Sequence, residues 1–264
     1  MAIQLFSDWL ATPQGQYVLA WEQRKLDLLV ADIFGFNAVQ VGFPQLDFLR
    51  ANRMPFRALC CDRSGVAVQC DPRYLPFATN SIDLIVLPHV LEFNANPQQI
   101  LREVERVLVP EGSVVVTGFN PYSLWGLRRA MARRGGRPPW QGRYLGVPRL
   151  RDWFKLLGFE TRSGAFGCYA PPVRQEKWLQ RWRFMDAAGD RWWPVAGAVY
   201  VLQAIKRQHG MRLITPKWHD RKAAARALAA VTRKPLTNKS PPRSLCSLPP
   251  TGGRISPWGG PASK

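Results

Sequence analysis

The first clear pattern along the chain is helical. Apolar side chains recur there at intervals of three and four residues, and one glutamate shares their stripe. The stripe comprises Val18, Leu19, Glu22, Leu26, Leu29 and Ile33. Thr12 supplies an N-cap, Pro13 suits the first helical position, and Gly35 follows the last periodic residue. The pattern predicts one long helix over 12–32, ahead of any sheet.

Short apolar runs after this helix predict buried strands of a parallel sheet. They cover residues 37–43, 56–62 and 66–71, and a helix is expected over 46–52. Only residues 63–65 separate the second run from the third, whereas parallel neighbours need a crossover of about a dozen residues or more. Either a helix has been deleted here or the two runs form a hairpin.

The middle of the chain has the clearest pattern. A near-continuous apolar run over 82–87 predicts a strand, and Asn96-Pro97 opens a helix that reaches residue 108. Residues 110–112 stop that helix, and 113–119 predict the next strand. Strand, helix and strand in this order form a right-handed crossover unit of a parallel sheet.

The remaining elements predict the end of the sheet. A helix is expected over 147–157 and strands over 159–165 and 197–207, with a surface loop or cap over 171–194. Two terminal strands joined by a long excursion favour an antiparallel final pair. The predicted fold class is therefore an α/β sheet with helices on both faces and an antiparallel final strand pair.

Charge divides the chain into a domain and a tail. The net charge is +19, and the excess of Lys and Arg concentrates between residues 119 and 155 and again from 217 onward. We expect one domain over 1–216, with an insertion or lid at about 119–146, and a basic, mostly disordered tail over 217–264. Such a tail predicts non-specific contact with nucleic acid or an anionic surface.

Cysteine spacing and hydropathy argue against several classes of protein. The five cysteines include no CxxC pair and match no histidine spacing, so we expect no metal site and no disulfide framework. The first fifteen residues lack the pattern of a secretory signal, and no apolar run reaches the roughly 20 residues of a membrane span. A cytoplasmic protein is the expectation.

Four successive segments carry a resemblance to a known family. They read DPRYLPF at 71–77, NSIDLIVL at 80–87, PHVLE at 88–92 and LREVERVLVPEG at 101–112. In order and spacing they resemble the type-11 methyltransferase family, and GFNP at 118–121 with SLWGLRR at 123–129 suggests a bacterial branch of it. The resemblance implies a Rossmann-like class I sheet, the cofactor S-adenosyl-L-methionine and an unknown methyl acceptor.

The resemblance also implies where the cofactor binds. Asp71 would accept a hydrogen bond from the adenine amino group, although a turn-capping aspartate is an equal alternative. Of the family's glycine-rich loop, Gly42 remains, and Gln40 occupies the position of the family's acidic residue. Leu87 ends the fourth strand, beside the expected cofactor. Asp62 has the spacing of a ribose-binding acid, with a turn residue as the alternative.

The acceptor side is less defined. His89 follows the fourth strand, where it could act as a catalytic base or only shape the pocket. Aromatic and arginine side chains at the start of the insertion could stack on a flat or anionic acceptor. They are Tyr122, Trp125, Arg128 and Arg129.

Three functional hypotheses stay open at this point. The first is an S-adenosylmethionine-dependent methyltransferase. The second is a non-catalytic protein that keeps the fold as a binding module, associated with RNA through its tail. A Rossmann dehydrogenase is disfavoured, because no GxGxxG motif is present.

Overall fold

A seven-stranded sheet with helices on both faces forms the centre of the molecule. The computed structural model describes residue 6 and residues 8–62, 65–131, 139–173, 175–182 and 184–208. The strands are β1 (Asn37–Val41), β2 (Phe56–Cys61), β3 (Val68–Gln69), β4 (Ile82–Pro88), β5 (Leu108–Phe119), β6 (Phe159–Gly167) and β7 (Val199–Lys206). The helices are α1 (Pro13–Ala31), α2 (Pro97–Val107), α3 (Leu124–Met131), α4 (Val147–Leu156), α5 (Glu176–Arg181) and α6 (Phe184–Trp192).

The order of the strands is β3-β2-β1-β4-β5-β7-β6. Strands β1 to β5 pair in parallel, and β7 runs antiparallel to both β5 and β6. This confirms the predicted fold class, including the antiparallel final pair. The carboxyl ends of β1, β2, β4 and β5 meet at one edge, which is where ligands bind in open α/β sheets.

The corner at β3 resolves the alternative left open by the sequence. Strand β3 pairs in parallel with β2, through Cys60↔Val68 and Cys61↔Gln69, so the hairpin interpretation is wrong. Only six residues, 62–67, connect the two strands, which is too short for a crossover helix. The strand predicted over 66–71 shrinks to two residues as a result.

Two further predictions need correction. Residues 46–52 form turns rather than a helix, because Asp47 Oδ1 accepts a hydrogen bond from the Leu49 amide at 2.9 Å and holds the chain in a turn. The segment 171–194, expected as a loop or cap, contains α5 and α6. The predicted tail over 217–264 and residues 132–138 of the insertion lie outside the described residues.

The hydrophobic core has two layers, one on each face of the sheet. On one face α2 buries Ile100 and Val104, and α4 buries Leu150. On the other face α1 buries its apolar stripe, which includes Leu26. The sequence stripe of α1 therefore predicted its buried face correctly.

Lys206, at the end of β7, is a buried cation. Its Nζ donates to the carbonyl oxygens of Glu105 and Leu108, at 2.6 and 2.9 Å, and to Asn80 Oδ1 at 3.0 Å. The side chain thereby joins the end of α2 to the antiparallel strand.

We expect Lys206→Met to lower the free energy of unfolding by about 1–3 kcal/mol, because it leaves two buried carbonyl oxygens without their donor. Urea unfolding measures the change. Arg207→Met is the matched control, since this neighbouring cation pairs with Glu111 and Glu160 at the exposed surface. Equal losses in the two variants would contradict the assignment.

Candidate functional site

A surface pocket of about 600 Å³ lies at the carboxyl edge, beyond β1, β2 and β3. Its lining comprises Gly42, Cys61, Asp62, Gln69, Cys70, Asp71, Pro72, Arg73, Val90 and Asn94. The volume is that of a small-molecule site. The structure therefore brings together three of the predicted cofactor residues, Gly42, Asp62 and Asp71, whereas Gln40, Leu87 and His89 lie outside this lining.

Asp71 lies in a turn that its own side chain stabilises. Its Oδ1 accepts the Arg73 amide at 2.9 Å, and its carboxylate also receives Arg73 Nε and Nη2. These hydrogen bonds hold the pKa of Asp71 below its usual value. The contacts are those of the turn-capping alternative, and the half-exposed carboxylate still borders the pocket.

Gly42 begins the loop after β1 in a left-handed conformation. Its φ is +87°, and its amide donates to the Cys60 carbonyl at 2.7 Å. A Cβ at this position would lie 3.0 Å from Val90 Cγ2. Glycine is therefore favoured here by its backbone conformation and by the close approach of Val90, which lies in the turn after β4.

The side chain of Gln40 stabilises this loop through hydrogen bonds to its backbone. Its Nε2 donates to the carbonyl oxygens of Gly42, Phe43 and Leu46 at 2.7–3.2 Å, and its Oε1 accepts the Phe48 amide at 2.9 Å. The side chain is buried, and both ends of the amide bond to the loop backbone. Its contacts therefore describe a loop brace, in contrast to the predicted contact with a cofactor.

The other two predicted cofactor residues have different surroundings. Asp62 is exposed at the pocket rim, where its Oδ1 accepts a hydrogen bond from Cys61 Sγ at 3.3 Å. Leu87 is fully buried in the core layer beneath the sheet edge. Asp62 can reach a ligand in the pocket, whereas the Leu87 side chain supports the strand.

His89 is a buried ionic centre rather than an accessible base. Its Nε2 lies 2.7 Å from Glu22 Oε1 on α1, and its Nδ1 lies 2.8 Å from Glu92 Oε2. All three side chains are almost fully buried. The other oxygen of Glu92 accepts the amide of Phe119, which ends β5. With both ring nitrogens paired, His89 has no lone pair to offer a substrate, so the geometry argues against the predicted catalytic role.

Charge and burial oppose one another at this centre. Burial alone would lower the pKa of His89, but the carboxylates of Glu22 and Glu92 outweigh it and raise the pKa to about 10. Burial also raises the pKa of Glu92, against the attraction of His89. The imidazole is therefore charged at neutral pH and bonds α1, the end of β4 and the end of β5 to one another.

An aromatic layer covers this centre at the carboxyl edge. The rings of Phe119, Phe6 and Phe43 lie 4.6, 5.1 and 6.5 Å from the His89 ring, centroid to centroid. Trp125 stacks on Phe119 at 6.1 Å. The layer fills the space above the ends of β1, β4 and β5.

Two polar atoms within the aromatic layer lack a hydrogen-bond partner in the described part of the chain. They are Trp9 Nε1, whose ring packs against Phe119 and Trp125, and Tyr144 Oη, whose ring stacks on Phe119 at 5.1 Å. Buried polar atoms normally bond to protein or to water. These two are places where water or a polar ligand group would bind.

The predicted lid residues separate into buried and exposed groups. Trp125 is buried, and its Nε1 donates to the Ala170 carbonyl at 2.9 Å. Arg128 and Arg129 lie 5.2 and 5.0 Å from the ring centres of Trp140 and Tyr144. Tyr122 is 75% exposed. The two arginines therefore stack on this chain's own rings.

Sequence reasoning missed Glu22 and Glu92 as partners of His89. A signal for Glu22 was available, because a carboxylate on the apolar stripe of a helix must be paired when that stripe is buried. Glu92 lies three residues after His89, but the turn that aims both side chains inward, with His89 at φ +49°, has no sequence signature.

A larger pocket, of about 1,120 Å³, runs along the edge strand β6 and α4. Its lining includes Tyr122 and Val195 and none of the predicted cofactor residues. Gly42, Asp62 and Asp71 converge on the smaller pocket instead.

Comparison with known proteins identifies a matching family model and a shared fold. Residues 47–116 match the family model described as "Methyltransferase domain", of type 11. An S-adenosylmethionine-dependent methyltransferase of Thermotoga maritima has a similar structure, with a TM-score of 0.53 and 15% identity over 77% of this chain and 99% of that one. A second such methyltransferase, from Archaeoglobus fulgidus, has a TM-score of 0.50 and 15% identity over 70% of this chain and 92% of that one. At these identities the structures show a shared fold.

A relative in sequence is the uncharacterized protein YafS of Escherichia coli K12. It is 32% identical over 155 residues, which are 58% of this chain. The match spans 65% of the length of that relative. The described residues contain no helix long and apolar enough to cross a membrane.

We expect His89→Leu to lower the free energy of unfolding at neutral pH by about 3–5 kcal/mol, because Glu22 and Glu92 are left buried without their counter-ion. The wild-type protein should also lose stability on alkaline titration. The pKa of His89 is raised in the folded state, so its contribution is complete below pH 6.5 and is lost as the pH rises to about 10. Urea unfolding across this range measures both effects.

His219→Leu is the control for loss of a histidine, and His89→Gln keeps a polar side chain if the leucine variant fails to fold. The difference in stability between wild type and His89→Gln should shrink as the pH approaches 10. A difference that does not change with pH would contradict a charged His89.

Proposed function

Because the chain has the class I methyltransferase fold and its residues 47–116 belong to the type-11 methyltransferase family, we propose that it transfers a methyl group from S-adenosylmethionine to an acceptor. S-adenosylmethionine is the cofactor that family and fold imply. When bound, it supplies an electrophilic methyl group on a sulfonium. The observation that carries the proposal is the convergence of Gly42, Asp62 and Asp71 on one pocket at the carboxyl edge.

The residues of the pocket fit the adenosyl half of this cofactor. Val90 and Pro72 offer apolar surface for a purine ring, and the carboxylates of Asp62 and Asp71 can accept hydrogen bonds from ribose hydroxyls and an amino group. Pro72 has no amide hydrogen to donate, so recognition of the purine depends on side chains. We assign the adenine to the Asp71 side and the ribose to Asp62.

The amino-acid half would have to be held by the loop after β1. Gln40 has committed its amide to that loop, so an ammonium group would find backbone oxygens there rather than a carboxylate side chain. A neutral acceptor binds an ammonium less strongly than a charged one. We therefore expect the methionyl ammonium to be bound less tightly than it would be by a carboxylate in place of Gln40.

Methyl transfer from a sulfonium needs alignment of the acceptor more than a catalytic base. The paired and buried His89 is consistent with such a mechanism. We propose that the acceptor enters from the aromatic layer, where Trp9 Nε1 and Tyr144 Oη can bond to polar groups. The cytoplasmic location expected from the sequence stays a prediction.

A second candidate function is a binding protein for adenosyl compounds that has lost methyl transfer. The specific observation in its favour is the packing of Phe6, Phe43 and Phe119 over His89, which occupies the sheet edge next to the cofactor pocket. An acceptor could reach the pocket only after these rings move. The two functions differ in whether the methionyl half is bound.

Isothermal titration with S-adenosylhomocysteine tests the pocket. We expect Asp71→Ala to weaken binding about tenfold or more, because a charge-assisted hydrogen bond to the ligand is lost. Asp27→Ala is the matched control. Asp27 also pairs with the Nε and Nη2 of an arginine, Arg50, but it lies outside the pocket. Full affinity in Asp71→Ala, or equal weakening in both variants, would refute the assignment.

A comparison of ligands separates the two functions. A methyltransferase has to hold the methionyl group, so we expect S-adenosylhomocysteine to bind about tenfold or more tightly than adenosine. Titration of the full chain with each ligand measures the ratio. Equal affinities would favour the second function, and absence of heat with every ligand would refute both.

A further inference from the structure

Two acidic side chains of helix α6 bond to tyrosines of the rest of the protein. Asp186 accepts hydrogen bonds from Tyr17 Oη and, at 3.0 Å, from the Tyr169 amide, and Asp190 accepts one from Tyr169 Oη at 3.2 Å. The two acids therefore attach the helix to the protein. Phe184, Arg191 and Trp192 are exposed to solvent, and so is Asp190.

The exposed side continues into the segment before β7. We call the following five residues the aromatic rim: Tyr122, Phe184, Trp192, Trp193 and Val195, which are exposed to 75%, 64%, 70%, 64% and 66%. Asn120 joins two parts of the rim: its Nδ2 donates to the carbonyl oxygen of Val195 at 2.7 Å, and its Oδ1 accepts the Tyr122 amide at 3.0 Å. Tyr122 and Val195 also line the same pocket. Tyr122 follows the end of β5 and the other four residues precede β7, whose start pairs with the end of β5 at the carboxyl edge.

Cations accompany the aromatic rim. Lys177, Arg181 and Arg191 are exposed on α5 and α6, and the Arg181 guanidinium lies 5.6 Å from the Trp178 ring centre. Asp186 is turned away from this surface by its bonds to tyrosines. The whole chain carries a net charge of +19. Glu176 and Asp190 are also exposed on these helices, so the surface combines large apolar side chains with three cations and two acids.

We propose that the aromatic rim docks on an anionic lipid bilayer surface. Trp and Tyr favour the membrane interface, because their rings are apolar and each carries one polar group. Lys and Arg beside them attract anionic headgroups. Adjacent exposed Trp side chains are otherwise costly in water, since a contiguous apolar patch on a monomer marks a contact surface.

A lipid surface fits the composition of the rim better than a single-stranded nucleic acid does. Nucleic-acid platforms use aromatic faces for stacking. Val195 has no ring, and Trp193 is followed by Pro194, so aliphatic surface is interleaved with the rings. The proposal concerns where the protein binds, and it does not depend on methyl transfer.

The test is binding of the full chain to vesicles of phosphatidylglycerol and phosphatidylcholine, compared with phosphatidylcholine alone. We expect binding to the anionic vesicles and quenching of tryptophan fluorescence by lipids brominated in the acyl chains. Trp192→Ser/Trp193→Ser should weaken vesicle binding about tenfold or more, because two partly inserted rings are lost. Circular dichroism confirms that the variant is folded.

Phe34→Ser/Phe36→Ser is the matched control, because these two rings are 77% and 74% exposed at the opposite edge of the sheet, before β1. It should bind vesicles as the wild type does. Binding of the tryptophan variant with wild-type affinity and quenching would overturn the proposal, since the basic tail would then account for all attraction. The proposal would also be overturned if Trp192→Ser/Trp193→Ser lost binding to oligouridylate RNA but kept its binding to vesicles.

Discussion

The charge of one buried histidine fixes the relative positions of three elements. His89 stands between Glu22 and Glu92 with both ring nitrogens paired, and its imidazolium is the only partner that either carboxylate has at that depth among the described side chains. Removing the histidine leaves two carboxylates buried without a counter-ion, which costs far more than a lost surface contact. Helix α1, the turn after β4 and the end of β5 are therefore held together by one electrostatic centre.

This centre accounts for the shape of the candidate site. Because His89 is turned inward, the sheet edge above it is filled by rings, of which Phe119 is the nearest. The free space at the carboxyl edge lies instead beyond β2 and β3, in the pocket that holds Asp62 and Asp71. The placement of this ionic triad therefore accompanies an open pocket lined by carboxylates and a neighbouring edge filled by aromatic rings.

The loop after β1 shows how a family motif can keep its position while its chemistry changes. Gly42 retains the left-handed backbone conformation that the turn requires. Gln40 stands where the resemblance places an acid, and its amide now completes the loop's own hydrogen bonds. An amide has both donors and an acceptor, so it can satisfy several backbone groups that a carboxylate cannot.

How far the sequence predicts this protein differs between fold and site. Hydrophobic periodicity and the run from Asp71 to Gly112 determined the order of helices and strands and the antiparallel final pair, because these depend on local spacing. Contacts of high sequence separation decided the rest. The pairing of Glu22 with His89 spans 67 residues, and the parallel course of β3 contradicts the usual crossover length. Only tertiary packing decides whether a polar side chain is buried with partners or exposed at a pocket, and that choice separates a brace such as Gln40 from a pocket-lining residue such as Asp71.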